Sequence, residues 1–300
     1  MRRTVAVLTG LMVAAVAAAC GDGHRERPGA APVPSPSGAV ERPAAGDHRL
    51  SLPHDGADRS YLLHAPPGYD PARPTALVIA LHFYPGSGEG LRETTGLDAV
   101  ADRENFLVAY PDGRDGGFNA LICCGSADDV GFLRALTEHL VRTWRADPDR
   151  IYLTGISNGG DMSFRAAVEL HGTFAAIGVV SGGYSGPRTV PDDYVPEQPV
   201  SVITFIGGQD RYAEVFTSGV RTWQRRLGCR PTPGTPPAGA AGVTRTDARC
   251  ADGSDVTVYT LPDMGHSWPG ARAGQLAAPD AGLVATELVW DFFAAHPRRA

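Results

Sequence analysis

The run Ile151-Tyr152-Leu153-Thr154-Gly155-Ile156-Ser157-Asn158-Gly159-Gly160 is the segment around which the chain is organised. An apolar stretch leads into Gly-x-Ser-x-Gly, and apolar residues then recur at helical spacing at Met162, Ala166, Ala167 and Leu170. A strand that turns sharply into a helix at a serine is a nucleophile elbow. The pattern also arises by chance in a chain with 37 glycines, but the flanking strand and helix favour the elbow. The segment therefore predicts a nucleophile at Ser157.

Strand-like and helix-like segments alternate along the rest of the chain. Strands are predicted at 61–65, 76–81, 106–110, 176–180, 200–206 and 256–261, and helices at 97–104, 130–144 and 283–293. The segment 76–81 is almost wholly aliphatic, which is typical of a strand covered on both faces. This alternation predicts an α/β fold with a mostly parallel central sheet and helices on both faces. Ligands of such sheets bind at the carboxyl ends of the strands.

A serine nucleophile needs a histidine as base and a carboxylate that orients the histidine. When the nucleophile lies on an elbow of this kind, the acid and then the histidine follow the serine along the chain. Of the histidines, only His266 and His296 follow a suitable acid, and His296 lies beyond the last predicted helix. His266 lies in a glycine-bracketed loop after a predicted strand and is favoured as the base. Asp210 also follows a strand and is favoured as the acid over Asp255 and Asp263. The backbone N–H of the residue after the serine, Asn158, is expected to stabilise the oxyanion.

The first 48 residues have the composition of a targeting segment and a linker. Arg2 and Arg3 precede an uncharged run, and small residues lead to Cys20, which predicts a lipoprotein signal peptide at 1–20 with lipid on that cysteine. A lipobox usually has leucine where this chain has Ala17, so a plain secretory signal is the alternative. Residues 21–48 are rich in proline, glycine and alanine and predict a disordered tether. Residues 49–300 are then one catalytic domain, lipid-anchored on the extracellular side of the cell membrane or secreted.

Charge and cysteine usage limit the partners of the domain. The net charge is −6, and no basic cluster lies beyond the signal, so nucleic acid is not an expected partner. Once Cys20 is set aside, four cysteines remain in a chain predicted to be exported, which suggests disulfides. We predict a bridge from Cys229 to Cys250 across a segment, 231–242, that has little to order it, while Cys123 and Cys124 are either a vicinal bridge or free thiols. No metal site or cofactor is predicted, and the domain is expected to be a monomer.

These motifs together resemble the poly(3-hydroxybutyrate) depolymerase and feruloyl esterase relatives within the carbohydrate-esterase branch of α/β-hydrolases. The resemblance spans residues 59–296 and depends on the segments 61–69, 123–132, 147–160 and, most specifically, Gly-His-Ser-Trp-Pro-Gly at 265–270. It implies an α/β-hydrolase fold and a serine esterase with Ser157, Asp210 and His266 as nucleophile, acid and base. The implied substrate is a small or oligomeric ester of the feruloyl, acetyl-sugar or hydroxyalkanoate type.

Two further residues near the expected site, Tyr84 and Trp268, are assigned roles. The family usually has His-Gly after its third strand, but this chain has His82-Phe83, so Tyr84 takes the position of the second oxyanion donor. His82 is interpreted as a structural residue of that loop. Trp268, two residues after the base, is predicted to form a wall of the substrate site, with packing of the loop as the alternative.

Two other functions compete with an esterase. A hydrolase-fold protein can be catalytically silent and serve only as a binding protein of the cell envelope, or it can be a serine peptidase. The complete set of serine, acid and histidine favours an enzyme.

Overall fold

Ten strands form one sheet in the computed structural model, which describes residues 43–298. They are β1 (Gly46–His54), β2 (Ala57–Ala65), β3 (Thr75–Leu81), β4 (Leu107–Pro111), β5 (Ala146–Ile156), β6 (Ala176–Val180), β7 (Ser201–Gly207), β8 (Arg230–Gly234), β9 (Thr244–Arg249) and β10 (Asp255–Leu261). Across the sheet their order is β1-β2-β4-β3-β5-β6-β7-β10-β9-β8. The six strands from β4 to β10 in this order run parallel, and antiparallel pairs extend both edges. The predicted mostly parallel sheet is confirmed.

Helices cover both faces of this sheet. They are α1 (Gly88–Thr95), α2 (Leu97–Glu104), α3 (Asp129–Trp144), α4 (Asn158–Glu169), α5 (Ala213–Arg226) and α6 (Ala285–Ala295). Because side chains alternate along a strand, Leu77 and Ile79 of β3 join the apolar cluster beneath α3, α4 and α5, whereas Val78 joins the cluster beneath α1, α2 and α6. In the part of the chain from 43 to 298, no helix is both long enough and apolar enough to cross a bilayer.

The edges of the sheet differ most from expectation. Strand β1 begins at Gly46, three residues before the predicted start of the domain, because it pairs with β2 along its whole length. The segment 231–242 was expected to have little order, but β8 pairs with β9. Prolines at 231 and 233 are tolerated there because β8 is the last strand of the sheet, where a missing N–H breaks no ladder.

The Cys229–Cys250 disulfide joins the outer ends of the β8 and β9 pair. On the chain-entropy model, a closed loop of this length stabilises the fold by about 3 kcal/mol. The predicted signal peptide with Cys20, and the tether as far as residue 42, lie outside the described residues.

Candidate active site

The elbow lies where β5 ends and α4 begins. Ser157 has φ 56° and ψ −122°, a left-handed conformation that costs a residue other than glycine about 1–3 kcal/mol. A Cβ on Gly159 would lie 2.0 Å from the carbonyl oxygen of Leu81, and one on Gly155 would lie 2.4 Å from the backbone of Gly159. Only glycine allows β3, β5 and α4 to approach this closely. The turn places the serine at the carboxyl end of the central strands.

The loops after β7 and β10 are held together by their backbones. The N–H of Gly208 donates to the carbonyl of Leu261 at 2.8 Å, and that of Gln209 donates to Met264 at 2.9 Å. A Cβ on Gly207 would lie 2.4 Å from the carbonyl oxygen of Met264, so a side chain there would push the two loops apart. Because these loops carry Asp210 and His266, their backbone contacts set the distance between acid and base.

Asp210 and His266 form a hydrogen-bonded pair. Nδ1 of His266 donates to Oδ2 of Asp210 at 2.6 Å, and the N–H of Tyr212 donates to the other carboxyl oxygen at 2.9 Å. The carboxyl group of Asp210 is wholly buried, whereas the imidazole is partly exposed. With its Nδ1 proton held in this way, His266 presents Nε2 as the basic nitrogen.

The alternative acid and the alternative histidine lie elsewhere and contact each other. Nε2 of His296 lies 3.2 Å from the carboxyl group of Asp255, which also accepts from Arg249 at 2.7 Å. These three residues border a groove of about 600 Å³, larger than the cleft at the elbow, but no serine or cysteine of residues 43–298 lines that groove. Asp263 is exposed.

Ser157 and His266 line one cleft of about 330 Å³. Six large apolar side chains are exposed within residues 43–298, and four of them line this cleft: Tyr84, Ile122, Tyr212 and Val215. A cluster of exposed apolar side chains is typical of a ligand site. Among the described residues, no hydrogen bond joins the Ser157 hydroxyl to the imidazole; such contacts are often long without substrate and tighten in the complex.

Asn158 has a second role that the sequence did not reveal. As the first residue of α4, it has no intrahelical acceptor for its backbone N–H. Its buried side chain donates to the carbonyls of Phe118 and Cys123 at 2.9 and 3.1 Å and accepts from the N–H of Phe118 at 2.8 Å. Cys123 and Cys124 form a vicinal disulfide that lines the cleft. The amide of Asn158 therefore ties the elbow to the loop that forms this wall.

The loop after β3 is fixed by His82, as expected. The imidazole is fully buried; Nδ1 donates to the carbonyl of Phe83 at 2.7 Å, and Nε2 accepts from the N–H of Gly113 at 2.9 Å. Burial lowers the pKa of His82, so the ring is neutral at pH 7 and can accept that bond. Tyr84, two residues after His82, lines the cleft with an exposed ring.

The predicted role of Trp268 as a wall of the substrate site is wrong. The side chain is 0% exposed and does not line the cleft, and its Nε1 donates to the hydroxyl of Thr286 at 2.9 Å. Its backbone belongs to β11 (Trp268–Pro269), which pairs with β12 (Ala277–Ala278). The indole therefore packs in the core beneath the loop that carries His266. In this region it is Leu276 that lines the cleft.

Replacing Trp268 with alanine is expected to lower the free energy of unfolding by about 3–5 kcal/mol, because a fully buried aromatic side chain is lost. Turnover of small and bulky esters should fall by the same factor. Chemical denaturation and kcat/KM for an acetate and an aromatic ester measure the two effects. Trp268→Phe, which keeps most of the packing, is the control. A rise in KM confined to bulky esters would contradict this assignment.

Asp161 is a residue of the cleft that the sequence analysis missed. It follows the nucleophile by four residues on α4, is 5% exposed and lines the cleft. Burial raises the pKa of Asp161 to about 7, and the N–H of Gly183, which donates to Oδ1 at 2.8 Å, opposes this rise. The available signal was a single acidic residue in the first turn after Gly-x-Ser-x-Gly-Gly.

The raised pKa of Asp161 makes stability depend on pH. Below a pH of about 4 the carboxyl is protonated in both states, so it has no effect. Between a pH of about 4 and 7, Asp161 is ionised in the unfolded chain but still protonated in the folded one. Over this range the carboxyl of Asp161 lowers the free energy of unfolding by about 1.4 kcal/mol for each unit of pH. The full destabilisation is present above pH 7. Asp161→Asn should therefore be more stabilising at pH 8 than at pH 5 in urea unfolding, with exposed Asp263→Asn as control. Parallel pH profiles for wild type and Asp161→Asn would contradict this.

Comparisons with known proteins identify the family of the chain. Residues 59–189 match the family model described as esterase PHB depolymerase. Feruloyl esterase C of Emericella nidulans is 30% identical over 248 residues, which cover 79% of this chain and 84% of that protein. NocK of Nocardia uniformis subsp. tsuyamanensis, a protein named as an esterase, is 29% identical over 335 aligned positions, covering 94% of this chain and 96% of NocK.

A solved structure shows the same fold. Acetyl xylan esterase from Aspergillus awamori superposes with a TM-score of 0.57 at 16% identity, covering 74% of this chain and 94% of that one. At this identity the similarity is informative about the fold alone, which is that of α/β-hydrolases. The sequence similarity to feruloyl esterase C extends over most of both chains. The chain therefore belongs to the esterase family of PHB depolymerases and feruloyl esterases, and it is a carboxylic ester hydrolase of the α/β-hydrolase fold.

Proposed function

We propose that this protein is an exported serine esterase that cleaves esters between an aromatic, feruloyl-type acid and a sugar. The observation that carries the proposal is the hydrogen bond to Asp210 from His266, which lines the same cleft as the elbow serine. This pair gives the serine a base whose orientation is already set.

The reaction begins at Ser157. Its hydroxyl oxygen attacks the ester carbonyl while Nε2 of His266 takes the hydroxyl proton, and Asp210 stabilises the resulting imidazolium through Nδ1. The tetrahedral intermediate collapses to an acyl-enzyme when His266 returns the proton to the leaving alcohol. Water then repeats the sequence on the acyl-enzyme, releasing the acid and restoring the serine.

The oxyanion forms at the N-terminus of α4. There the backbone N–H of Asn158 points away from the helix ladder, and the helix dipole favours negative charge. The N–H of Tyr84, on the loop held by His82, supplies the second donor. Each preorganised donor of this kind lowers the barrier by about 3 kcal/mol.

The lining of the cleft supports an aromatic acyl group. Exposed rings of Tyr84 and Tyr212 and the side chains of Ile122 and Val215 surround the opening, so a flat apolar acid can bury its faces there. Feruloyl esterase C, the relative at 30% identity, bears the name of such an activity.

A substrate panel on the purified domain tests this choice. Methyl ferulate, an acetylated sugar and a 3-hydroxybutyrate oligomer are compared by kcat/KM, with Ser157→Ala as the blank for each. We expect the aromatic ester to be turned over most efficiently. A preference for the acetylated sugar or the oligomer would overturn the aromatic assignment while leaving the serine mechanism in place.

We further propose that the mature protein acts as a monomer held on the extracellular face of the membrane by lipid on Cys20. The two disulfides of the described chain support export, because such bridges persist in oxidising compartments. Two acyl chains on one cysteine suffice for stable anchoring, where a single chain is marginal.

The anchor is tested by fractionating the native host with and without Cys20→Ala. Wild type should sediment with membranes and partition into detergent, whereas the variant should be recovered in the soluble fraction. Recovery of cleaved, unlipidated wild-type protein in the medium would leave export in place and exclude the anchor.

A further inference from the structure

Asp161 lies beside the nucleophile. Its N–H donates to the carbonyl oxygen of Ser157 at 2.9 Å, so the first turn of α4 joins the two residues. Both residues line the cleft. A group that contacts Asp161 therefore lies within a few bonds of the ester that Ser157 attacks.

The carboxyl of Asp161 is only half used by the protein. Oδ1 accepts from the N–H of Gly183 at 2.8 Å, and within residues 43–298 no hydrogen-bond partner is found for Oδ2. The residue is nevertheless 5% exposed. Oδ2 is not one of the sealed, unpaired polar atoms of residues 43–298. It is accessible from the cleft that Asp161 lines, so a hydrogen-bond donor on a ligand can reach it.

The proposed mechanism has no use for this carboxyl. His266 is already oriented by Asp210, and the amide of Asn158 is engaged by the loop at 118–123. The cation of the cleft, Arg211, stacks over the ring of Tyr212 at 4.6 Å. Asp161 is thus a buried polar side chain of the cleft with a carboxyl oxygen that remains free to bind the substrate.

The chemistry of a carboxyl group selects its partner. A hydroxyl group donates to the carboxylate and also accepts from the neutral acid, so it pairs with Asp161 in either protonation state. A carbonyl pairs only with the acid, and a methyl group pairs with neither. We infer that Asp161 is a specificity-determining residue that hydrogen-bonds a hydroxyl group lying within a few bonds of the scissile ester, an inference that rests on the proposed function.

Such a hydroxyl has two sources. On the alcohol side it is the hydroxyl next to the esterified oxygen of a sugar, and on the acyl side it is the hydroxyl of a 3-hydroxy acid. Two matched pairs of esters separate these sources, each exchanging a hydroxyl for a methyl group. They are 2-hydroxyethyl butanoate against propyl butanoate, and methyl 3-hydroxybutanoate against methyl 3-methylbutanoate.

The test is the ratio of kcat/KM for the hydroxyl ester to that for its methyl partner, measured in wild type, Asp161→Leu and Asp161→Asn. Using a ratio cancels any general loss of activity in a variant. In one of the two pairs we expect the ratio to fall about tenfold or more in Asp161→Leu. It should stay within about threefold of wild type in Asp161→Asn, whose amide still pairs with a hydroxyl and can accept from Gly183.

Asp161→Ala replaces the leucine variant if circular dichroism shows that the latter does not fold. An unchanged ratio in both pairs overturns the inference, and so does an equal fall in Asp161→Asn. Failure of the proposed function has a different signature, because wild type and Ser157→Ala would then give the same background rate on every ester. That result would overturn both the proposed function and the role of Asp161.

Discussion

Ser157→Ala is expected to lower kcat/KM for a short-chain nitrophenyl ester by about 10⁴-fold or more. The loss is large because Ser157 forms the acyl-enzyme in the proposed mechanism, and the remaining rate of the variant comes from binding and the oxyanion donors. Steady-state hydrolysis of the purified domain measures it, and circular dichroism checks the fold.

The substitution is also informative about strain. Alanine at position 157 keeps the left-handed backbone of the elbow, so stability should change little while activity is lost. Full activity in the variant would remove Ser157 from the mechanism and leave the esterase activity of the family to another residue of the cleft.

Asp210→Asn is expected to lower kcat/KM by about 10⁴-fold, close to the effect of losing the serine. The amide can no longer hold His266 with Nδ1 protonated, so Nε2 is no longer reliably the base. The loss should fall mainly on kcat, since the side chain of Asp210 is buried behind the imidazole and away from the substrate. Rates on the same nitrophenyl ester measure it.

Two comparisons make this second result specific. Asp255→Asn is the matched control, because Asp255 contacts Arg249 and His296 and not His266; it should leave the rate within about threefold of wild type. Combining Asp210→Asn with Ser157→Ala should cost almost nothing beyond Ser157→Ala, because residues of one catalytic unit are not additive. A loss confined to Asp255→Asn would show that the acid has been assigned to the wrong residue.

The amino-acid sequence by itself determined the fold and the order of the site. Strands β3, β6, β7 and β10 are recognisable because each is a short apolar run with a loop-forming segment after it. In a parallel sheet the carboxyl ends of neighbouring strands meet at one edge. Ser157, Asp210 and His266 follow the apolar runs of β5, β7 and β10 within five residues of each strand's end, so their proximity is predictable from topology without any knowledge of contacts.

The edge strands were decided by pairing. β1 and β8 carry no strong apolar signal, and β8 contains two prolines. They are strands because their backbones pair with β2 and β9, and a search for apolar runs does not detect such pairing.

Side-chain direction near the cleft was also decided by the tertiary structure alone. Trp268 and Leu276 are both apolar and lie close to His266 in the chain, yet the pairing of β11 with β12 turns the indole into the core and leaves Leu276 at the cleft. Asp161 is buried because α4 packs against the loop that carries Gly183, whose N–H it accepts. Sequence periodicity reports which face of an element is apolar, but it does not report which neighbour covers that face, and this neighbour decides whether a side chain packs the core or meets the substrate.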